Sequence, residues 1–176
     1  MWYLIFAVIG YLAGSLIPQR MISRKKSGHR QILVCIVDGA LGFLPVFTEG
    51  FFLDQAHPGF VLVMLAPVFG RSHPFLQRRG TEHLLAVAFG SLAGLIPVWQ
   101  PVMLLAVATV LFFRVLRIDP YIFRMLAMFL SVSLICFLLM GTEVVSWGCL
   151  FLTYFVAVQE LEEYQGEKIT VQVLPR

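Results

Sequence analysis

Charged side chains are scarce in this sequence. Only 13% of its 176 residues are charged, whereas 59% are hydrophobic. A soluble domain carries about 25% charged residues, because most of its surface faces water. The hydrophobic residues also lie in long runs and are not spread evenly along the chain. The composition therefore excludes an ordinary soluble domain and predicts an all-α, polytopic membrane protein folded as one helical bundle.

Cysteines are also few, and they lack the spacing of a redox or metal-binding motif. The chain has 3, all within hydrophobic runs and without a Cys-x-x-Cys pair: Cys35, Cys136 and Cys149. Cysteines in such surroundings serve as small apolar residues. We therefore expect neither a metal nor another cofactor.

The hydrophobic runs predict seven membrane spans. The first begins without the basic residues of a cleaved signal peptide, so we expect it to be retained. The third is short for a crossing, which needs about 20 residues. The predicted spans are 1–18, 32–53, 59–69, 84–99, 102–116, 121–140 and 144–158. Together they form a bundle over 1–158, and an acidic tail follows at 159–176.

The basic residues predict the orientation of this bundle. With the N-terminus outside and seven crossings, all 13 Lys and Arg residues fall on the inner side. This is the distribution that the positive-inside rule requires. If 59–69 did not cross, the basic loops would lie on both sides. We therefore predict an outside N-terminus and a cytoplasmic C-terminus.

A polar loop, 70–83, joins the third and fourth spans on the predicted cytoplasmic side. Arginine is suited to phosphate because its planar group donates paired hydrogen bonds. A glycine before a helix start can expose backbone N–H groups to an anion, and a histidine can transfer a proton near neutral pH. The candidate residues are Arg71, Arg78, Arg79, Gly80, His73 and His83. Alternatively, the same arginines set the topology and contact anionic lipid headgroups.

Asp38 lies inside the second span. An ionisable side chain in a span is costly when it has no partner, which makes it a functional candidate. The alternative is a structural ion pair with an arginine of the polar loop. Both interpretations predict an arginine or backbone donor beside Asp38. Hydroxyl groups within the spans, that of Ser15 included, are expected to pack or to bond back to helix carbonyls.

Three motifs, in order along the chain, resemble one family. Residues 11–18 read Tyr-Leu-Ala-Gly-Ser-Leu-Ile-Pro, and residues 38–46 read Asp-Gly-Ala-Leu-Gly-Phe-Leu-Pro-Val. The polar loop adds Gly70, Pro74, Phe75, Leu76, Arg79 and Gly80. Together they resemble the bacterial membrane acyl-phosphate:glycerol-3-phosphate acyltransferases, which are seven-span proteins.

The resemblance implies a function in phospholipid synthesis. That family transfers an acyl chain from acyl phosphate to glycerol 3-phosphate and gives lysophosphatidic acid. We therefore expect a location in the bacterial plasma (inner) membrane. The expected ligands are acyl phosphate and glycerol 3-phosphate or a related anionic lipid, and no nucleic-acid partner is expected.

The sequence departs from the family at several functional stretches. The glycine- and asparagine-rich first loop is missing, and Arg71 stands where the family has a loop histidine. The family's Gly-Gly-Lys-Gly is replaced by Gly-Thr-Glu-His at 80–83, and its C-terminal His-Arg-x-Asn is absent. Because the reaction joins two anions, these changes remove groups that would neutralise phosphate charge.

Three functional hypotheses follow. The first is a divergent acyltransferase in which His73 or His83 transfers a proton. Its substrate-binding residues would be Arg71, Arg78, Arg79, Gly80, Asp38 and Ser15. The second is a catalytically inactive relative that binds lipid, acyl phosphate or a partner protein and modulates phospholipid synthesis. The third is an unrelated membrane protein such as a small transporter, against which the sparse charge within the spans argues.

Overall fold

The computed structural model describes residues 1–15, 28–74, 84–162 and 170–173, and this part of the chain is mostly helical. The predicted helical class is therefore confirmed. The seven helices are α1 (Trp2–Ser15), α2 (Gly28–Gly50), α3 (Phe60–Ser72), α4 (Leu84–Ala93), α5 (Gln100–Val110), α6 (Tyr121–Met140) and α7 (Val144–Glu162). A π-helical turn, Leu111–Val115, extends α5.

Two short strands, absent from the prediction, accompany the helices. Strand β1 (Leu116–Asp119) pairs antiparallel with β2 (Thr170–Val173). The first strand begins at the last residue of the expected fifth span and continues into the connection to the sixth, and the second strand lies in the predicted tail. The pairing joins chain segments about fifty residues apart, so no local pattern could reveal it.

Several helix ends differ from the prediction. The prediction that a loop begins at residue 70 is wrong, because α3 continues to Ser72. The helix stops there because a proline disfavours helical geometry at the residue before it, which here is His73. Helix α4 ends at Ala93 instead of near residue 99, just before Gly94 and Pro97. Helix α7 continues to Glu162, since glutamate is a good helix former.

The chain divides into two compact units, Met1–Val98 and Trp99–Arg176. In the first unit, α1 packs along α3, and the order of contacts shows that the two helices run parallel. Gly10 lies against Ala66, and Gly14 against the Pro67 carbonyl. Gly70 then meets the backbone of Tyr11 and Ser15.

Helices α2 and α4 form a second parallel pair in the same unit. Gly39 faces the Ala86 carbonyl near one end of the contact, and Gly94 faces Val46 near the other. At Gly90, an added Cβ would collide with the Gly39 carbonyl. Small residues allow such close backbone approach, which is typical of helix contacts in membranes.

The second unit packs α6 against α7 through hydroxyl groups. The Ser133 hydroxyl donates to the Cys149 carbonyl at 2.9 Å and lies 2.6 Å from Thr153 Oγ1. At the start of α6, Arg124 Nη2 donates to Asp119 Oδ1 at 2.7 Å. The Arg124 guanidinium also lies over the Phe113 ring, 5.0 Å from its centre. These contacts fix α6 to β1.

Among the described residues, two helical segments, Leu33–Gly50 and Tyr121–Met140, are long and apolar enough to cross a membrane. The apolar segments of the other helices are shorter. Large hydrophobic side chains are exposed along the outer faces, as on α6 at Leu130, Leu134 and Leu138. A soluble monomer rarely exposes so much contiguous apolar surface. Two apolar helices and these faces indicate membrane association.

Candidate functional site

A buried ion pair links α2 and α3. Arg71 Nη2 donates to Asp38 Oδ2 at 3.0 Å, and the two side chains are 5% and 1% exposed. The predicted arginine partner of Asp38 is therefore confirmed. Because Arg71 belongs to the last turn of α3, the pair fixes that turn against α2. Removing one partner of a buried pair typically costs about 3–5 kcal/mol, since the other charge is left uncompensated.

His73 lies directly after α3 and is held by contacts with its surroundings. Its carbonyl accepts a 2.8 Å hydrogen bond from the Tyr11 hydroxyl of α1. Its ring stacks on Phe69 with centroids 5.1 Å apart. Nδ1 lies 3.1 Å from the Ser72 hydroxyl. The half-buried imidazole is thus positioned two residues after the Asp38–Arg71 pair.

Ser15 lies at the same end of the first unit. Its hydroxyl donates to the Leu12 carbonyl at 3.0 Å, which is the bond back to the helix that the sequence predicts. The Ser15 backbone N–H lies against Gly70, next to Arg71. The side chain therefore caps its own helix while the backbone brings α1 close to the ion pair.

The first turn of α4 completes this end of the unit. The Ala86 carbonyl lies 3.6 Å from the position of a Cβ on Gly39, the neighbour of Asp38. The N-terminal end of a helix carries partial positive charge and exposed N–H groups, which favour an anion. The structure thus collects Ser15, Asp38, Arg71, His73 and the start of α4 at one end. Arg78, Arg79, Gly80 and His83 lie outside the described residues.

This arrangement limits what Arg71 can do chemically. Its charge is balanced by Asp38, so the pair contributes little net attraction for an anion. Among the residues that the structure describes, the group at this end that suits phosphate is the first turn of α4. Within the described residues, no cluster of His, Cys, Asp and Glu is arranged to hold a metal ion.

Sequence reasoning missed one buried acid, Glu49. It grouped Glu49 with the polar residues around the following turn, although residue 49 lies within the predicted span 32–53 and within α2, which continues through Gly50. Glu49 is 1% exposed, and within the described residues neither carboxylate oxygen has a hydrogen-bond partner. It shares a helix face with Asp38, Gly42 and Val46, all of which are buried. That helical spacing was the signal that could have found it.

Comparisons of the chain with protein-family models, with curated proteins and with solved structures find no match. The likeness of its motifs to the acyltransferases therefore stays a prediction.

Proposed function

We propose that this chain is a seven-span protein of the bacterial inner membrane that transfers an acyl group from acyl phosphate to glycerol 3-phosphate. The observation that carries the proposal is the site at one end of the first unit. Ser15, Asp38, Arg71 and His73 meet there beside the first turn of α4. Ser15 and Asp38 belong to two of the three motifs on which the resemblance rests, and Arg71 and His73 lie between Gly70 and Pro74 of the third.

The packing of the first unit supports the seven-span arrangement. In a chain that crosses a membrane with every helix, the first and third helices point the same way, as do the second and fourth. The parallel pairs α1–α3 and α2–α4 have this relation. The N-terminus would lie outside, and the ends of α1 and α3 would lie at the cytoplasmic face, where the positive-inside rule expects the arginines.

The proposed reaction requires an anion site and a proton acceptor. A hydroxyl oxygen of glycerol 3-phosphate attacks the carbonyl carbon of acyl phosphate, the bond from that carbon to the phosphate oxygen breaks, and inorganic phosphate leaves. His73 would accept the hydroxyl proton. Arg78, Arg79 and the start of α4 would hold the phosphate groups. Asp38 and Arg71 would position the end of α3.

One observation favours a second candidate function. Arg71 is buried and its charge is balanced by Asp38, so the ion pair suits a structural role better than catalysis. The second candidate is an inactive relative that binds acyl phosphate or another anionic lipid without turnover.

The test is an assay of the full chain in lipid vesicles with acyl phosphate and glycerol 3-phosphate. We expect phosphate and lysophosphatidic acid in equal amounts. Removing a group that stabilises transition-state charge typically costs about 10²–10³ in rate, so Arg79→Ala is expected to lose at least about 100-fold. The matched control is Arg114→Ala, an exposed arginine of the second unit, which should retain wild-type turnover.

Binding and turnover separate the two functions. Acyl phosphate that binds without product formation would establish the inactive relative. A folded protein that neither binds nor turns over acyl phosphate would show that both candidates are wrong.

A further inference from the structure

We propose that Glu49 is a binding site for a small monovalent cation, a proton or Na⁺, inside the first unit. Glu49 is a carboxylic acid near the end of α2 with 1% exposure. Both of its side-chain oxygens lack a hydrogen-bond partner within the described residues. The site lies about three helical turns from Asp38, and so it is separate from the proposed acyl-transfer site.

The helices packed against α2 offer Glu49 no counter-charge. Helix α4 has no ionisable residue, and α1 has only Tyr3 and Tyr11. The hydroxyls of these tyrosines donate to the carbonyls of Asp54 and His73. Helix α3 supplies a single cation, Arg71.

The other charged groups near Glu49 among the described residues are engaged elsewhere or exposed. Arg71 binds Asp38, about 16 Å from Glu49 along α2 at 1.5 Å per residue. In the turn after α2, His57 is exposed, stacks on Tyr3 and accepts a hydrogen bond from the Gly59 N–H. Asp54 is exposed and bears the same negative charge as Glu49. Met1, which carries an amino group just before α1, is 96% exposed.

Burial then requires a ligand on the carboxylate. An ionised carboxylate without a partner is very costly in an apolar interior, and more so within a membrane. Since the described residues of the first unit place no cation beside Glu49, the neutralising cation is then one from solution. A proton bound to either oxygen does this, and so does Na⁺, whose preferred ligands are oxygens.

The position of Glu49 gives such a cation a short route. Glu49 is followed within α2 only by Gly50, and its own carbonyl accepts hydrogen bonds from Phe52 and Leu53 in the turn beyond. That turn also carries the exposed polar residues Asp54 and His57. The cation would therefore exchange from the side of the α2–α3 turn.

Dicyclohexylcarbodiimide tests this proposal directly in the full chain. A protonated carboxyl in apolar surroundings adds across the reagent: the oxygen bonds to the central carbon and the proton moves to nitrogen. The adduct then rearranges to a stable acylurea that peptide mass spectrometry locates. We expect an adduct on Glu49 in wild type, none at this position in Glu49→Gln, and unchanged labelling in the control Asp54→Asn, which removes an exposed carboxyl of the adjacent turn.

Salt distinguishes the two cations. Labelling that NaCl and choline chloride leave unchanged identifies the proton as the ligand. Labelling that falls about 10-fold or more in NaCl, but not in choline chloride, identifies Na⁺, because bound Na⁺ excludes the reactive proton. If folded wild-type protein shows no adduct on Glu49 with or without Na⁺, the proposal is wrong.

Stability gives an independent check. Glutamine keeps the shape of the side chain without its charge, so in choline chloride, where no Na⁺ can stabilise wild type, Glu49→Gln should melt within about 3 °C of wild type. A larger drop in choline chloride would mean that the carboxylate is paired with a cation of the protein itself, which would overturn the proposal. Neither result depends on acyl transfer, so failure here leaves the proposed function untouched, and the reverse also holds.

Discussion

The Asp38–Arg71 pair is the residue-scale feature with the largest expected effect on stability. Arg71→Leu leaves Asp38 buried and uncompensated, so we expect a loss of about 3–5 kcal/mol in the free energy of unfolding. Replacing both residues with leucine should recover most of this loss, since no charge is then left in the interior. Reversible denaturant unfolding in detergent measures both values.

A second ion pair supplies the control for that experiment. Asp119 is 39% exposed, and its partner Arg124, which is 10% exposed, also donates to the Ile118 carbonyl and lies over the Phe113 ring. Because Arg124 keeps these contacts when the carboxylate is lost, the pair should contribute close to the about 0–1 kcal/mol of an exposed pair. We therefore expect Asp119→Asn to cost no more than about 1 kcal/mol. The assigned role of the Asp38–Arg71 pair would be refuted if the double leucine variant lost as much stability as Arg71→Leu and Asp38→Leu lose together.

A buried charge was predictable where its neighbours along the chain are apolar. The cost of a lone carboxylate in a hydrophobic run was enough to predict a partner for Asp38. The same reasoning applies to Glu49, but Glu49 precedes Gly50 and lies near the polar residues Asp54 and His57, which suggested a turn. The polar neighbours decided the outcome, since the predicted span 32–53 and α2 both contain Glu49.

At the scale of elements, glycines set the distance between paired helices. The contrast between Gly90 and Gly39 tests this within one contact. A Cβ on Gly90 would collide with the Gly39 carbonyl, so we expect Gly90→Ala to destabilise the first unit by about 1–3 kcal/mol or more. A Cβ on Gly39 would meet the Ala86 carbonyl at an ordinary 3.6 Å.

Gly39→Ala is therefore the matched control. Alanine is a better helix former than glycine by about 1 kcal/mol, so this variant should be as stable as wild type or slightly more stable. Thermal unfolding of the two variants under identical conditions gives the comparison. Equal destabilisation by both changes would contradict the close packing of α2 on α4.

Helices were predictable as elements because hydrophobic runs mark them, but their lengths depend on contacts between elements. The polar residues Arg71 and Ser72 suggested a loop, whereas tertiary contact with Asp38 holds them in α3. Strands β1 and β2 have four residues each, and each is ordered by pairing with the other. Such short segments have no periodicity of their own from which to predict them.

At the scale of the whole molecule, charge placement and helix direction support the same arrangement. The placement of all 13 Lys and Arg residues fits seven crossings with the N-terminus outside. The parallel pairs of the first unit fit crossings that alternate in direction. Chain connectivity alone would have allowed either parallel or antiparallel neighbours, so the structure adds support that the sequence could not provide.

The topology can be tested by cysteine labelling in intact cells, in a background in which Cys35, Cys136 and Cys149 are replaced by alanine. Ala56→Cys and Glu143→Cys place a thiol at exposed positions in the α2–α3 and α6–α7 connections. Both should react with a membrane-impermeant maleimide, because both connections are predicted to lie outside. Arg114→Cys, also at an exposed position, should react only after the membrane is permeabilised. If residues 59–69 did not cross, the helices after them would reverse direction, and Ala56→Cys and Glu143→Cys would label from opposite sides.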